Sequence, residues 1–236
     1  MKNPLEHLKS RLDEIEEKLG YVFDHKDFLV LAFIHRSFIN EYREGPLQHN
    51  ERLEFLGDSV LGLVIADHLY HRLPSHPEGQ LSQLRSRLVD TTSCAQFLQK
   101  LQLQEYILLG KGETMTEGRT KPSILADTFE ALLGALYLDG GLSTVRSFLL
   151  CHYEEDFEAA IGSPTRNYKA ELQDISQKLY QKTPVYKVIE ETGPDHSKIF
   201  HVVVYLDEIE SGIGSGASKK EAEQKAAFDA LAKRDV

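Results

Sequence analysis

The sequence has few cysteines, no long apolar run and no zinc-type cluster. Its two cysteines, Cys94 and Cys151, lie far apart in apolar, helical surroundings, which favours two buried thiols over a disulfide. No segment reaches the ~18 consecutive apolar residues of a membrane span, and the polar N-terminus has no signal-peptide core. No Cys/His cluster has zinc spacing. These absences predict a cytoplasmic protein without a membrane segment.

Positive charge is also scarce. The chain has 27 Lys and Arg against 37 Asp and Glu, a net charge of −10, which is unusual for a protein that binds nucleic acid. Residues 164–236 hold 11 basic and 12 acidic residues, so residues 1–163 carry −9 of the total. Overall charge therefore identifies no RNA partner, and any such prediction depends on local clusters.

An apolar stretch that begins at Asn50 and continues through Leu69 predicts a helix, with Asn50 as its N-cap and Glu51 in its first turn. Glu54 and Asp58 are four residues apart and share a face, although like charges at that spacing destabilise a helix. The stretch is either an exposed acidic stripe or a site for a hard divalent cation. Apolar neighbours leave little room for a broad solvated face, which favours the cation.

A second apolar helix carries a second acidic pair. It spans residues 124–137, with Asp127 and Glu130 on one face, and Asp139-Gly140-Gly141 is a typical helix end. Two buried helices that each present a carboxylate pair form an all-oxygen ligand set, which suits Mg²⁺ or Mn²⁺ rather than Zn²⁺. In enzymes, such a set most often serves phosphate chemistry.

The segments 50–61 and 125–139 resemble the two acidic motifs of the ribonuclease III family, and the resemblance covers nearly the whole chain. It implies an endonuclease with Mg²⁺, which Mn²⁺ may replace, and no small-molecule cofactor. It also implies a homodimer. The implied residues are the catalytic pair Asp58 and Glu130; the metal ligands Glu54, Asp58, Asp127 and Glu130; Glu78 as an assistant at the RNA-cleaving site; and Glu51 and Phe55 at the dimer interface.

The remaining patterns up to residue 160 are helical, without strand periodicity. Predicted helices span residues 5–19, 28–38, 81–88 and 92–101. A polar, glycine-rich stretch over residues 109–122 offers Lys111, Arg119 and Lys121, which either approach a phosphate or are simply solvated. The sequence thus predicts an all-α endonuclease domain over residues 1–160 and a linker over 161–166.

After the linker, residues 168–180 and 218–233 are predicted to be helices, and residues 185–190, 199–206 and 209–213 are predicted to be strands. This α-β-β-β-α pattern predicts a small α+β domain over residues 167–236. This order, with Lys219 and Lys220 in the first turn of the last helix, resembles the double-stranded-RNA-binding domain. The helix dipole disfavours cations in a first turn, so a phosphate would resolve the conflict; the alternative is two solvated lysines. The resemblance adds Gln173, Asp174 and His196 as RNA contacts, while Ala170 departs from the usual threonine.

These expectations combine into an endoribonuclease specific for double-stranded RNA. It would hydrolyse phosphodiester bonds with Mg²⁺, leave 5′-phosphate and 3′-hydroxyl ends with a short 3′ overhang, and process ribosomal RNA precursors and other structured transcripts. One alternative is a non-catalytic double-stranded-RNA-binding protein that retains the fold, although all four carboxylates are present. Another is a Mg²⁺-dependent phosphohydrolase of small substrates, which has no use for the C-terminal domain.

Overall fold

The computed structural model describes residues 3–41, 48–162, 168–194 and 198–233. The chain divides into two units, Met1–Ser163 and Pro164–Val236. The division falls within the segment 161–166 that the sequence predicts to be a linker, but the preceding helix continues through Gly162. Ile161 packs against the apolar core of the first unit, which explains why the helix extends past the predicted boundary.

The first unit is helical. Apart from an isolated bridge between Ile34 and Leu108, its described residues form helices, turns and loops, which confirms the predicted all-α domain. The α-helices of this described part are α1 (Pro4–Lys9), α2 (Leu12–Leu19), α3 (Lys26–Ala32), α4 (Arg36–Glu41), α5 (Glu51–Arg72), α6 (Glu78–Leu88), α7 (Thr91–Lys100), α8 (Lys111–Met115) and α9 (Pro122–Gly162).

The helix predicted over residues 5–19 is in fact two helices, α1 and α2. Arg11 lies between them with φ −116° and ψ 11°, outside the helical region. Its guanidinium donates to Glu14 at 2.7 Å and to Glu105 at 3.2 Å and lies over the ring of Tyr106. The spacing of apolar residues in the sequence does not reveal these contacts with a distant segment. The predicted stop is confirmed, since Gly20 ends α2 with a φ of 65°.

The single helix predicted over residues 28–38 is also wrong. α3 ends at Ala32 and α4 begins at Arg36, because the backbone between them bonds to other segments. Leu108 N donates to the carbonyl of Phe33 at 2.8 Å, and His35 N donates to the carbonyl of Leu108 at 3.2 Å. The carbonyl of Ile34 accepts from a third segment, at residue 50, at 2.9 Å. Backbone groups bonded in this way cannot also continue a helix.

α5 and α9 are the central helices, and each buries apolar residues along most of its length. Gly141, with φ 76° and ψ −177°, breaks α9, so the predicted end at residues 139–141 is a kink after which the helix resumes. Asp139 accepts hydrogen bonds from Tyr21 Oη and from the backbone N–H groups of Asp24 and His25. The kink is thereby joined to the start of α3.

The cysteines agree only in part with the prediction. Both are free thiols, and Cys94 is fully buried on α7. Cys151, however, is exposed. Its neighbours Leu149 and Tyr153 point into the core, and the helical turn places Cys151 on the opposite face of α9.

The second unit confirms the α-β-β-β-α order. It contains α10 (Tyr168–Tyr180), β1 (Val185–Thr192), β2 (Ile199–Leu206), β3 (Ile209–Gly216) and α11 (Lys219–Ala232). The strands form an antiparallel sheet in the order β1-β2-β3. Val202, Val204 and Leu206 are buried against the helices. At Gly214 a Cβ would lie 2.2 Å from the backbone nitrogen of Ala226, so this glycine lets α11 pack directly on β3.

Candidate active site

The site is built where α5 and α9 touch backbone to backbone. A Cβ on Gly57 would lie 1.7 Å from the carbonyl oxygen of Glu130, and one on Gly134 would lie 2.3 Å from that of Leu53. Only glycine allows this approach, although it weakens a helix interior relative to alanine. The helix crossing therefore fixes which residues of the two helices become neighbours.

Both acidic pairs flank this crossing. Glu54 and Asp58 lie within a turn of Gly57 on α5, and Asp127 and Glu130 occupy the facing stretch of α9. Asp58 is exposed, whereas the other three side chains are partly buried. The sequence-predicted carboxylates thus come to one place in the fold, although they belong to segments about seventy residues apart in the chain.

The four carboxylates act on one another electrostatically. The pKa of Glu130 is raised to about 7, first by burial and then by the charges of Asp58, Asp127 and Glu54. Burial also raises the pKa of Glu54, with Asp127 as the largest charge effect. The pKa of Asp127 is raised by burial and by Glu51. The charges that contribute most to these three shifts are all negative, so repulsion adds to burial at each of the three carboxylates.

The cluster is not a ready-made coordination shell. Within the part of the chain that the structure describes, no three His, Cys, Asp or Glu side chains come together closely enough to hold a metal ion. Mutual repulsion explains why the carboxylate charges act on one another although their oxygens do not meet around a single point. Their chemistry nevertheless fits a hard cation, because the donors are all oxygens and their uncompensated charge favours one.

Glu51 has different surroundings. It lies 3.0 Å from Arg36 and 3.7 Å from His49, so it has cationic partners of its own. Asn50 occupies the N-cap position of α5 as predicted, but its side chain makes no capping bond and donates instead to the carbonyl of Ala32 at 3.3 Å. Asn50 is buried, and its amide joins the start of α5 to the end of α3.

Two further predicted residues are exposed. Phe55 has 78% of its surface open, which is unusual for so large an apolar side chain on a core helix. Glu78 is the first residue of α6, where its Oε1 accepts a hydrogen bond from Ser82 at 2.7 Å. Burial does not explain either residue, so both fit roles at the surface.

Sequence reasoning missed the position of Cys94. This fully buried thiol lies beside Glu130, and its pKa is raised by burial and then by the charge of that carboxylate. Its contact joins α7 to the acidic cluster on α9. No signal in the sequence could have shown this, since a buried cysteine in an apolar helix face is an ordinary core residue.

The basic residues of the 109–122 stretch have structural partners in two cases. Lys121 Nζ lies 2.6 Å from Glu113, and Arg119 donates to the carbonyl of Ile107 at 3.1 Å. Lys111 is exposed on the first turn of α8. These contacts favour local structural roles for Lys121 and Arg119 over contact with a phosphate.

The second unit presents most of its predicted contacts at the surface. Gln173 and Asp174 are exposed on α10, and Lys219 and Lys220 are exposed in the first turn of α11. Ser218 caps α11 by accepting from Glu221 N at 3.2 Å. His196 lies outside the described residues. Lys219 is 3.6 Å from Glu191, so it has an acidic neighbour that the sequence analysis did not foresee.

No helix in the described ranges is long and apolar enough to cross a membrane.

Comparison with known proteins extends these observations. Residues 25–156 match the model of the family described as Ribonuclease-III-like, and residues 168–234 match the double-stranded RNA binding motif. The chain is 57% identical over 234 residues to a protein named Ribonuclease 3 from Protochlamydia amoebophila, covering 99% of this chain and 96% of that one. A Ribonuclease 3 from Oceanobacillus iheyensis is 45% identical, with 92% and 95% covered.

A solved structure agrees. The nuclease domain of ribonuclease III from Campylobacter jejuni, in a study of flexibility in a region involved in its dimer formation, is 39% identical with a TM-score of 0.57. The match covers 62% of this chain and 99% of that one. Together with the two matched domains and the acidic crossing of α5 and α9, these similarities show that the chain belongs to the ribonuclease III family, the endoribonucleases specific for double-stranded RNA.

Proposed function

We propose that Glu54, Asp58, Asp127 and Glu130 hold Mg²⁺ and form the cleavage site of this endoribonuclease. The observation that supports the proposal most directly is the close backbone contact of α5 and α9, which brings the four carboxylates together; there, burial and three neighbouring carboxylates raise the pKa of Glu130 to about 7. A partly buried carboxylate under such repulsion becomes favourable when a cation joins the cluster. Mn²⁺ can take the same place, because it also prefers oxygen ligands.

When held by these carboxylates, Mg²⁺ would supply Lewis-acid chemistry: it would lower the pKa of a coordinated water and stabilise charge on the phosphate. Asp58 and Glu130 are the proposed catalytic residues, one from each central helix. Asp58 is the more exposed, which leaves it open to the substrate, and Glu130 is the more buried, which protects its position. The closely packed helix backbones behind them hold both in place. Glu78, exposed at the start of α6, is proposed to assist at the RNA-cleaving site.

The C-terminal unit is proposed to bind the RNA. A-form RNA is recognised mainly by shape, through 2′-hydroxyl and phosphate contacts, rather than by base sequence. Lys219 and Lys220 at the start of α11 suit a phosphate, because the helix end offers backbone N–H groups beside two ammonium groups. Gln173 and Asp174 on α10 and His196 complete the proposed contacts.

The active form is proposed to be a homodimer, with Glu51 and Phe55 at the interface. The exposure of Phe55 supports this, since burial of a phenylalanine side chain contributes about 1.5–3 kcal/mol. Each subunit would cut one strand and leave 5′-phosphate and 3′-hydroxyl ends with a short 3′ overhang. The proposed substrates are ribosomal RNA precursors and other structured transcripts in the cytoplasm.

The decisive experiment is Glu130→Gln, which keeps size and hydrogen bonding but removes an anionic ligand. We expect Mg²⁺-dependent cleavage of a long RNA duplex to fall by orders of magnitude, while duplex binding in EDTA is retained. Glu155→Gln is the control, because this residue is exposed on the same helix α9. Cleavage by Glu130→Gln within about threefold of the parent would contradict the proposed site. Absence of cleavage in every protein, parent included, would favour a non-catalytic RNA-binding protein.

A further inference from the structure

Glu191, near the end of β1, faces two lysines that come from other parts of the second unit. Its Oε1 lies 3.6 Å from Lys219 Nζ at the start of α11, and its Oε2 lies 3.9 Å from Lys198 Nζ just before β2. Each carboxylate oxygen therefore has a different ammonium group near it. A bridging phosphate would present the same pair of acceptors.

The sheet register explains this placement. Glu191 is paired across the ladder with Phe200, whose ring packs against the core between sheet and helices. Neighbouring residues on paired strands share a face, so Glu191 points toward the side from which α11 begins. The ammonium group of Lys219 also lies 5.5 Å from the centroid of the Phe200 ring, within the range of a cation–π contact.

We propose that Glu191 competes with RNA phosphate for Lys219 and so restrains the affinity of the protein for double-stranded RNA. The inference depends on the proposed role of Lys219 as a phosphate contact. In the free protein, the carboxylate partly neutralises the ammonium group. On binding, a phosphate must take over that ammonium group or share it, and it also meets the negative charge of Glu191.

The distances decide between competition and positioning. A charge-assisted hydrogen bond between ammonium and carboxylate is about 2.7–2.9 Å long, whereas both distances here are clearly longer. Glu191 therefore attracts the lysines through charge and does not fix them through directed bonds. The contact of Lys219 with the Phe200 ring does not involve Glu191, so the lysine keeps an attachment when the carboxylate is neutralised.

One charge is a large change for this unit. Residues 164–236 have 11 basic and 12 acidic residues, so neutralising one carboxylate moves their net charge from −1 to zero. Because phosphate contacts dominate affinity for nucleic acid, a lysine with a competing carboxylate contributes less to binding than one without. Exposed ion pairs are weak, however, so the restraint amounts to a several-fold effect rather than a switch.

The test is Glu191→Gln in the full chain, with binding to an RNA duplex measured in EDTA over a series of salt concentrations. We expect about two- to fivefold tighter binding at low salt. We also expect a slightly steeper dependence of log affinity on log salt, by less than about one unit, because Lys219 already contacts a phosphate in the parent and the substitution removes only its competitor.

Glu190→Gln is the matched control. It removes the same charge from the adjacent residue of β1, which is paired with His201 and points to the opposite face of the sheet. Its effect on binding should be clearly smaller. The Lys219→Ala background gives a second control, because most of the gain from Glu191→Gln should disappear there.

Unchanged or weaker binding by Glu191→Gln overturns the inference, as does an equal gain from Glu190→Gln, which would show only a general charge effect. The proposed function fails in a different way. If the parent protein does not bind duplex RNA, or if Lys219→Ala leaves its salt dependence unchanged, the phosphate contact itself is wrong. Thermal unfolding temperatures equal to that of the parent for both glutamine variants would show that neither change alters folding.

Discussion

In the metal-free protein, the acidic cluster should lower the free energy of unfolding. The substitution Glu130→Gln measures by how much. The pKa of Glu130 is raised from 4.5 to about 7, so the folded state binds a proton here more tightly than the unfolded chain does. Stability is therefore lost as the pH rises from about 4.5 to 7, and the penalty is complete above that range. Removing the charge should relieve it.

The expected magnitude follows from the same values. A rise from 4.5 to about 7 corresponds to about 3.4 kcal/mol, at about 1.36 kcal/mol for each pKa unit. Because Glu130 is only partly buried, water reduces part of this cost of burial and repulsion. We therefore expect Glu130→Gln to raise the free energy of unfolding by about 1–2 kcal/mol at pH 8 in EDTA.

Urea unfolding followed by far-ultraviolet circular dichroism, in EDTA at pH 5 and pH 8, measures this effect. The gain should shrink at pH 5, where Glu130 is mostly protonated in the folded parent. Added Mg²⁺ should stabilise the parent more than the variant, because a ligand of the folded state stabilises it by mass action. Glu155→Gln should change stability by no more than about 0.5 kcal/mol at either pH.

A destabilised Glu130→Gln at pH 8 in EDTA would refute the reasoning, since the combined cost of burial and repulsion of the Glu130 charge would then not be the dominant effect at this residue. A gain of equal size at both pH values would refute it as well, because the gain would not come from the charge.

Two further predictions follow from the packing and from the lysines. Gly57→Ala should destabilise the protein by about 1–3 kcal/mol or more and reduce cleavage, because its Cβ would meet the backbone of α9 at 1.7 Å. Gly62→Ala on the same helix is the control, because its Cβ would meet nothing within 4 Å. It should be neutral or stabilising in thermal unfolding. Equal effects of the two alanines would contradict the backbone contact. Replacing Lys219 and Lys220 together by alanine should leave folding unharmed, weaken binding to two unrelated duplexes alike, and flatten the salt dependence of log affinity by roughly one unit per lost contact. An unchanged slope would mean that neither lysine contacts a phosphate.

Local patterns predicted the second unit well because its elements are short and recognisable residue types, such as a capping serine, mark their ends. Ser218 caps the last helix, and β2 spans the predicted residues 199–206. Even here the strands β1 and β3 extend beyond the prediction, through Thr192 and Gly216. Their ends are defined by pairing with β2, which a single strand's sequence does not encode.

The first unit shows where periodicity stops being informative. An unbroken apolar run predicted one helix through Phe33 and Ile34, yet their carbonyls accept from residues 108 and 50. Asn50 occupies the predicted N-cap position, but its side chain donates to the carbonyl of Ala32 instead of capping the helix. In both cases a partner distant in sequence provides the hydrogen bond that the local pattern assigned to the helix itself.

The acidic residues were identifiable from the sequence because carboxylates on an otherwise apolar helix are costly and therefore conspicuous. The neighbours that set their properties were not identifiable. Burial and three other carboxylates raise the pKa of Glu130, and the buried thiol of Cys94 lies beside it. The sequence likewise offered Lys219 as a phosphate contact but did not reveal Glu191 as its neighbour, since β1 and α11 meet only in the folded unit.

The crossing of α5 and α9 joins two features that each weaken the fold. Gly57 and Gly134 lower the helix propensity of the two longest helices, by about 0.5–1 kcal/mol each relative to alanine. The four carboxylates add repulsion at the same place. Substituting either glycine would push the helices apart, which would relieve the repulsion but also disperse the carboxylates. A cation bound at the proposed site would reverse the sign of this interaction, because the close backbone approach that concentrates negative charge would then concentrate ligands. Under this proposal the glycines and the acids act together, and the stability of the site would depend on the bound ion.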